Sequence, residues 1–154
     1  MRILLAIHIL AAVIFVGNMI TAAFWKVRAD KSGKLESMAE TSRSLLVADR
    51  AFTMPGILGL LVTGIWMVGI TGWERFQEPW LGGSFVLLLL TGAIWAIGLA
   101  PLQRRMARMA ADQANAGQPN PDYRKASRTW SMIGGIATLL PVVILVLMVL
   151  RPGA

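Results

Sequence analysis

The stretch Ile3–Trp25, ILLAIHILAAVIFVGNMITAAFW, carries no charged residue. A helix rising about 1.5 Å per residue crosses a hydrocarbon core about 30 Å thick in about 20 residues. The stretch is therefore long enough to span a membrane. Arg2 precedes it, while Lys26, Arg28, Lys31 and Lys34 follow it. A cleavable leader has the opposite arrangement, with charge first, then a shorter apolar core and a small-residue cleavage site. Ile3–Trp25 thus reads as a retained span.

Working outward, three more stretches qualify: Ala51–Ile70, Trp80–Leu102 and Trp130–Leu150, none of them charged. Of the 154 residues 56% are hydrophobic and 15% charged, against about 45–50% and about 25% in soluble domains. Such apolar content excludes a disordered chain, and the lack of cysteine excludes a disulfide-stapled secreted scaffold. The reading is a single all-α domain spanning residues 1–154, an integral membrane four-helix bundle embedded in a lipid bilayer.

Charge sets the expected orientation. Lys26, Arg28, Lys31, Lys34, Arg43 and Arg50 lie between the first two spans, and Arg104, Arg105, Arg108, Arg124, Lys125 and Arg128 between the last two. The N-terminus, the 71–79 turn and the C-terminus hold one basic residue each, Arg2, Arg75 and Arg151. The positive-inside rule places the two basic segments in the cytoplasm and both termini outside, in the periplasm of a bacterial inner membrane. The formal net charge of +7 is then a topology signal helped by anionic headgroups, and no nucleic-acid partner is expected. Trp73, Phe76 and Trp80 are expected to ring the outer interface, and Phe24, Trp25, Phe52 and Trp130 the inner one.

The segment from about residue 37 to Ala48 is rich in helix formers, so the second helix should start in water and run into the membrane. Pro55-Gly56 is expected to kink it or end its first section. Arg104–Ala114 reads as a helical extension of the third span, and the turn residues of Ala116–Pro121 mark a true break.

Polar groups inside spans are few, and each costs several kcal/mol if left unpaired in lipid. The threonines, Thr21, Thr53, Thr63, Thr91 and Thr138, are expected to bond to their own helix backbones. Gly59, Gly64, Gly92, Ala96 and Ala100 read as close-packing surfaces. His8, the sole histidine, shares a helical stripe with Ala11, Ala12, Phe15, Asn18, Met19 and Ala22, which is smaller and more polar than the Ile7, Leu10, Ile14 side. The small neighbours leave room for a flat group, and a neutral imidazole in a dry bundle suits haem iron or copper. The alternative is an imidazole hydrogen-bonded to a neighbouring helix. If His8 holds a metal, Met67 is the first thioether candidate at matching depth and Met148 the second, although methionines in spans usually fill gaps. Asp49-Arg50 forms an acid–base pair at the inner edge, read as a topological anchor in which Asp49 meets Arg104, Arg105 or Arg128. Asn18 and Gln103 are grouped with that pair as structural residues. No Walker loop, HExxH or CxxC occurs, and no paired intramembrane carboxylates support coupled cation transport.

These residues carry a resemblance. Ile7–Gly17 followed by Phe24-Trp25-Lys26, then Asp49–Gly56, Pro101–Arg105 and Leu147–Pro152, resemble a bacterial family of integral membrane proteins of unknown function over the whole chain. More distantly, the histidine-led first span resembles haem-dependent membrane protoporphyrinogen oxidases and the membrane domain of copper-resistance D proteins. The oxidase resemblance implies a haem ligand at His8. In that family a tryptophan-leucine pair in the third span precedes a histidine and a lysine needed for activity. Here Trp80-Leu81 precedes Gly82, Gly83, Ser84 and Phe85, so that oxidation is not expected, while binding of haem b remains compatible. The functional expectation is haem or copper binding through His8 for electron transfer or cofactor handling. Its rivals are a non-catalytic subunit of a larger membrane complex or homo-oligomer, and a transporter of small solutes.

Overall fold

Uncharged sequence in lipid has one local solution for its backbone, the fully hydrogen-bonded helix, and the chain adopts it four times. The structure is a computed structural model that describes residues 1–153. Helix α1 covers Arg2–Ser32, and α2 covers Leu35–Ala48. A π-helical turn, Asp49–Thr53, joins α2 to α3 (Met54–Thr71). A 3₁₀ turn, Trp73–Gln77, leads to α4 (Pro79–Ala93). A second π-helical segment, Ile94–Leu99, joins α4 to α5 (Ala100–Ala116), and α6 runs over Pro121–Leu150. Four continuous helices, 2–32, 35–71, 79–116 and 121–150, are long and apolar enough to cross a membrane. Among the described residues there is no strand.

The ends of these helices follow from their residues. Gly33 (φ 70°) and Gly117 (φ 65°) take the left-handed conformation that ends α1 and α5. Helix α6 begins where the Asn120 side chain accepts the Asp122 backbone N–H, with Pro121 in the first turn.

Of the expected kink or stop at Pro55-Gly56, the stop is corrected, because the helix continues from 35 to 71 through a π turn. Proline 55 has no N–H to offer the Ala51 carbonyl in α register. The ladder shifts one residue before it, and Met54 N–H reaches back to Asp49 C=O. The same happens ahead of Pro101, where Ala100 N–H bonds to Trp95 C=O. Each π segment ends two residues before a proline. Such bulges gather at functional sites, and these two face each other.

The continuous helix 35–71 has 37 residues, about 55 Å of length against about 30 Å of hydrocarbon. The excess projects at one end, where α2 and α5 pack on each other and on the end of α1 and the start of α6. This basic end has its own core of Leu45, Leu99, Met106, Ala110, Tyr123 and Trp130. The expected helical lead-in and extension are both present. Nearer the termini, Ala11, Phe15, Leu60 and Leu88 form a second core. Ile7, Leu10 and Ile14 are exposed to lipid, so the small stripe of the first span faces inward as expected.

At the terminal end the aromatic belt differs in part from expectation. Trp73 is exposed, but Trp80 is buried, with the Arg75 and Arg151 guanidiniums 5.8 and 5.4 Å from its ring centroid. Trp130 likewise lies inside the basic end instead of ringing it, while Phe24, Trp25 and Phe52 are exposed. Gly59 and Gly64 do pack closely, against Ala11 and His8, whereas a Cβ on Gly92 would meet nothing within 4 Å and Ala96 is exposed.

Candidate functional site

Three polar clusters interrupt the apolar interior. The first joins the first and second spans. His8 Nδ1 lies 2.7 Å from Thr63 Oγ1, and the Thr63 hydroxyl donates to the Gly59 carbonyl at 2.5 Å. Threonine has one hydroxyl proton, and the Gly59 bond uses it. Thr63 can therefore only accept from His8, which assigns the proton to Nδ1 and leaves a lone pair on Nε2. A Cβ on Gly64 would sit 3.4 Å from His8 Cε1, so the imidazole edge rests on bare backbone. Met67 lies one turn past Thr63, about 6 Å further toward the terminal end.

The second cluster bridges the two π segments. The Asp49 carboxylate accepts from Thr53 Oγ1 at 2.8 Å and from Trp95 Nε1 at 3.2 Å, one donor per oxygen. Asn18 Nδ2 donates to Thr53 Oγ1 at 2.8 Å, which ties α1 to the same group. The expectation that Asp49 meets Arg104, Arg105 or Arg128 is corrected, since those arginines are exposed and the acceptor is turned inward. Arg50 stays exposed and anchors the edge as expected. Beside Asp49 lies a cavity of about 110 Å³, lined also by Thr53, Trp95, Gln103, Trp130 and Gly134. Gln103 is buried, and the buried indole N–H of Trp130 has no partner among the described residues.

The third cluster was not legible as such. Lys26, with no exposed side-chain surface, pairs with Asp30 at 2.5 Å and donates to Ser127 Oγ at 2.8 Å. Tyr123 donates its hydroxyl to Asp30 Oδ1 at 2.8 Å, and Ser127 donates to Asp30 Oδ2. Lys26 and Asp30 are four apart on α1, and Tyr123 and Ser127 four apart on α6. Those spacings put each pair on one helix face, a signal available in the sequence but masked by counting Lys26 as a topology charge. Thr53 and Trp95 were equally unassigned as partners of Asp49.

At the terminal end Arg75 Nε donates to Glu78 at 3.0 Å. That hydrogen bond from the guanidinium holds the Glu78 carboxyl below its ordinary range. A depressed carboxylate contributes stability above the unfolded value and loses it as pH falls through the folded one. In a carbon-13 NMR titration Glu78 is expected to titrate below the ordinary glutamate range, and Arg75→Gln to return it there.

Four long apolar helices, two basic segments at one end and both termini at the other define a multi-pass integral membrane protein. The family described as "Predicted integral membrane protein (DUF2269)" matches residues 2–152, and the chain belongs to it. No curated protein and no solved structure matches the chain.

Proposed function

We propose that this protein is a small multi-pass protein of the bacterial cytoplasmic membrane that binds haem b through His8 Nε2, in electron transfer or cofactor handling. Its basic end faces the cytoplasm and both termini face outward, as the charge asymmetry requires. One observation carries the ligand reading: Thr63 Oγ1 accepts a hydrogen bond from His8 Nδ1–H, which leaves the Nε2 lone pair as the one that can ligate. Histidines that ligate metals are oriented in this way through their other ring nitrogen. The Cε1 edge of the ring packs on the bare backbone at Gly64, which helps to hold the imidazole in place. When bound, haem supplies one-electron exchange at its iron. The chain's own contribution is to fix the imidazole, with Gly59 C=O orienting Thr63 and Thr63 orienting His8. Met67 and Met148 are the candidate thioethers of the same end. Copper at His8 is the alternative metal.

An absorbance spectrum of the detergent-purified protein, expressed with ample haem, tests this. A Soret band is expected, lost in His8→Ala. Thr63→Val, which keeps the shape and removes the hydroxyl, is expected to weaken haem affinity by about 10–100-fold. A wild-type spectrum without a Soret band sinks the haem reading, and elemental analysis for copper decides the alternative.

A further inference from the structure

The three long helices that follow α1 each lose regularity at one level of the bundle. Helix 35–71 passes through its π segment at Asp49–Thr53, and helix 79–116 through its own at Ile94–Leu99. Helix α6 carries Gly134-Gly135 there. A Cβ on Gly135 would meet nothing within 4 Å, and one on Gly134 only a Leu99 methyl at 3.9 Å. Close packing therefore requires neither glycine, and each weakens the helix relative to alanine. The Thr138 hydroxyl also bonds back to the Gly134 carbonyl at 2.8 Å, a contact that bends helices. Asp49, Thr53, Trp95, Leu99, Gly134 and Gly135 all line the same cavity of about 110 Å³, and a void lets neighbouring side chains shift without displacing packed atoms. Helix α1 passes this level as unbroken α-helix and presents Met19, Ala22 and Ala23 to the cavity. A separate core lies on either side: Ala11, Phe15, Leu60 and Leu88 toward the termini, and Leu45, Met106, Ala110 and Tyr123 at the basic end. The basic end is pinned further by Lys26, Asp30, Tyr123 and Ser127, which tie the end of α1 to the start of α6.

We propose that this level is a hinge: the basic end pivots as one body on the terminal half, α1 is the continuous strap, and the Asp49–Trp95 hydrogen bond is the latch. Irregular backbone and a void between two packed bodies are what such a pivot needs. The latch joins the two π segments directly, with Trp95 Nε1 donating to Asp49 at 3.2 Å. Gln103, on the same helix as Trp95, faces that carboxylate too. Thr53 stands on Asp49's own helix, donates to it at 2.8 Å and is held in turn by Asn18 of α1. Swinging helix 79–116 away breaks the Trp95 and Gln103 contacts and leaves the Thr53 and Asn18 bonds intact. Asp49 thus keeps a donor in both arrangements, which limits the cost of opening. Opening enlarges the cavity beside Asp49, so the hinge governs how far that carboxylate is exposed.

Pulsed electron paramagnetic resonance on the full chain in nanodiscs tests this by measuring distances between two spin labels. The chain has no cysteine, so two introduced cysteines carry the only labels. Val62→Cys/Arg108→Cys spans the hinge level, and Glu36→Cys/Arg104→Cys lies within the basic end; all four positions are exposed. The spanning pair is expected to show a main distance and a minor second one, and the inner pair a single distance. Trp95→Phe, which removes the latch donor and keeps an aromatic ring, is expected to raise the ratio of second to main distance about 10-fold. Gly134→Ala/Gly135→Ala is expected to lower that ratio. A single distance for the spanning pair in wild type and Trp95→Phe alike overturns the hinge, and a ratio that Trp95→Phe leaves unchanged overturns the latch. An inner pair as broadly distributed as the spanning pair overturns the claim that the basic end moves as one body. Should Trp95→Phe not fold, a wild-type spanning pair without a second distance, or one that the glycine variant leaves unchanged, overturns the proposal.

Discussion

Replacing Asp30 by alanine is expected to destabilise the detergent-solubilised protein by about 3–5 kcal/mol. The reason is the asymmetry of the pair. The Lys26 side chain has 0% exposure and Asp30 has 27%. Removing Asp30 strands a buried ammonium whose remaining oxygen partner is Ser127, and it also orphans the hydroxyl of Tyr123. Lys26→Met is expected to cost less, about 1–3 kcal/mol. It leaves a carboxylate that still accepts from Tyr123 and Ser127 and still reaches water. Lys125, 3.9 Å from Asp122 with both side chains exposed, is the control, and Lys125→Ala is expected to change nothing measurable. Thermal unfolding followed by circular dichroism reads all three. Equal effects of Asp30→Ala and Lys26→Met would sink the argument, because it rests on which charge is the buried one.

The same cluster shows what a sequence of this kind conceals. The four spans were legible because lipid demands one thing of each stretch, about 20 uncharged residues. The inward face of α1 was legible from its small residues, and Phe15 and Ala11 are buried there as expected. Partnerships were not legible, because they depend on the register between helices. Asp49 was assigned to arginines by charge, but helix direction turns it toward Trp95, 46 positions away in the chain. Pro55-Gly56 was read as a kink or a stop and Pro101 drew no structural expectation, yet ahead of each proline the hydrogen-bond ladder slips by one residue, in the segments that carry Asp49 and Trp95. Trp130 was assigned to the interface by type and lies inside instead. His8 is the intermediate case. The expected small stripe and the alternative of a helix-to-helix hydrogen bond, here to Thr63, are both present.

Gly56 is where the packing of α1 on α3 is tightest, and Gly56→Val is expected to cost about 3 kcal/mol, the upper end for overpacking. A Cβ at Gly56 would lie 2.8 Å from Phe15 Cβ and 3.2 Å from Phe15 Cα. No side-chain rotation relieves contact with a backbone atom, so the helices must separate. In lipid that separation regains nothing, because the tails are as apolar as the helix surface and association rests on close packing. Gly17→Val is the control, since a Cβ there meets nothing within 4 Å; it is expected to stay within about 0.5 kcal/mol of wild type. Separation at Gly56 should also reach His8, whose 2.7 Å contact with Thr63 spans the same helix pair. With one histidine in the chain, nitrogen-15 labelling gives a single pair of ring signals. Wild type is expected to show a protonated Nδ1 and an unprotonated Nε2, and Gly56→Val to show averaging between tautomers. Unchanged melting together with an unchanged tautomer would mean that the Gly56 contact does not set the distance between α1 and α3 that fixes the His8–Thr63 hydrogen bond.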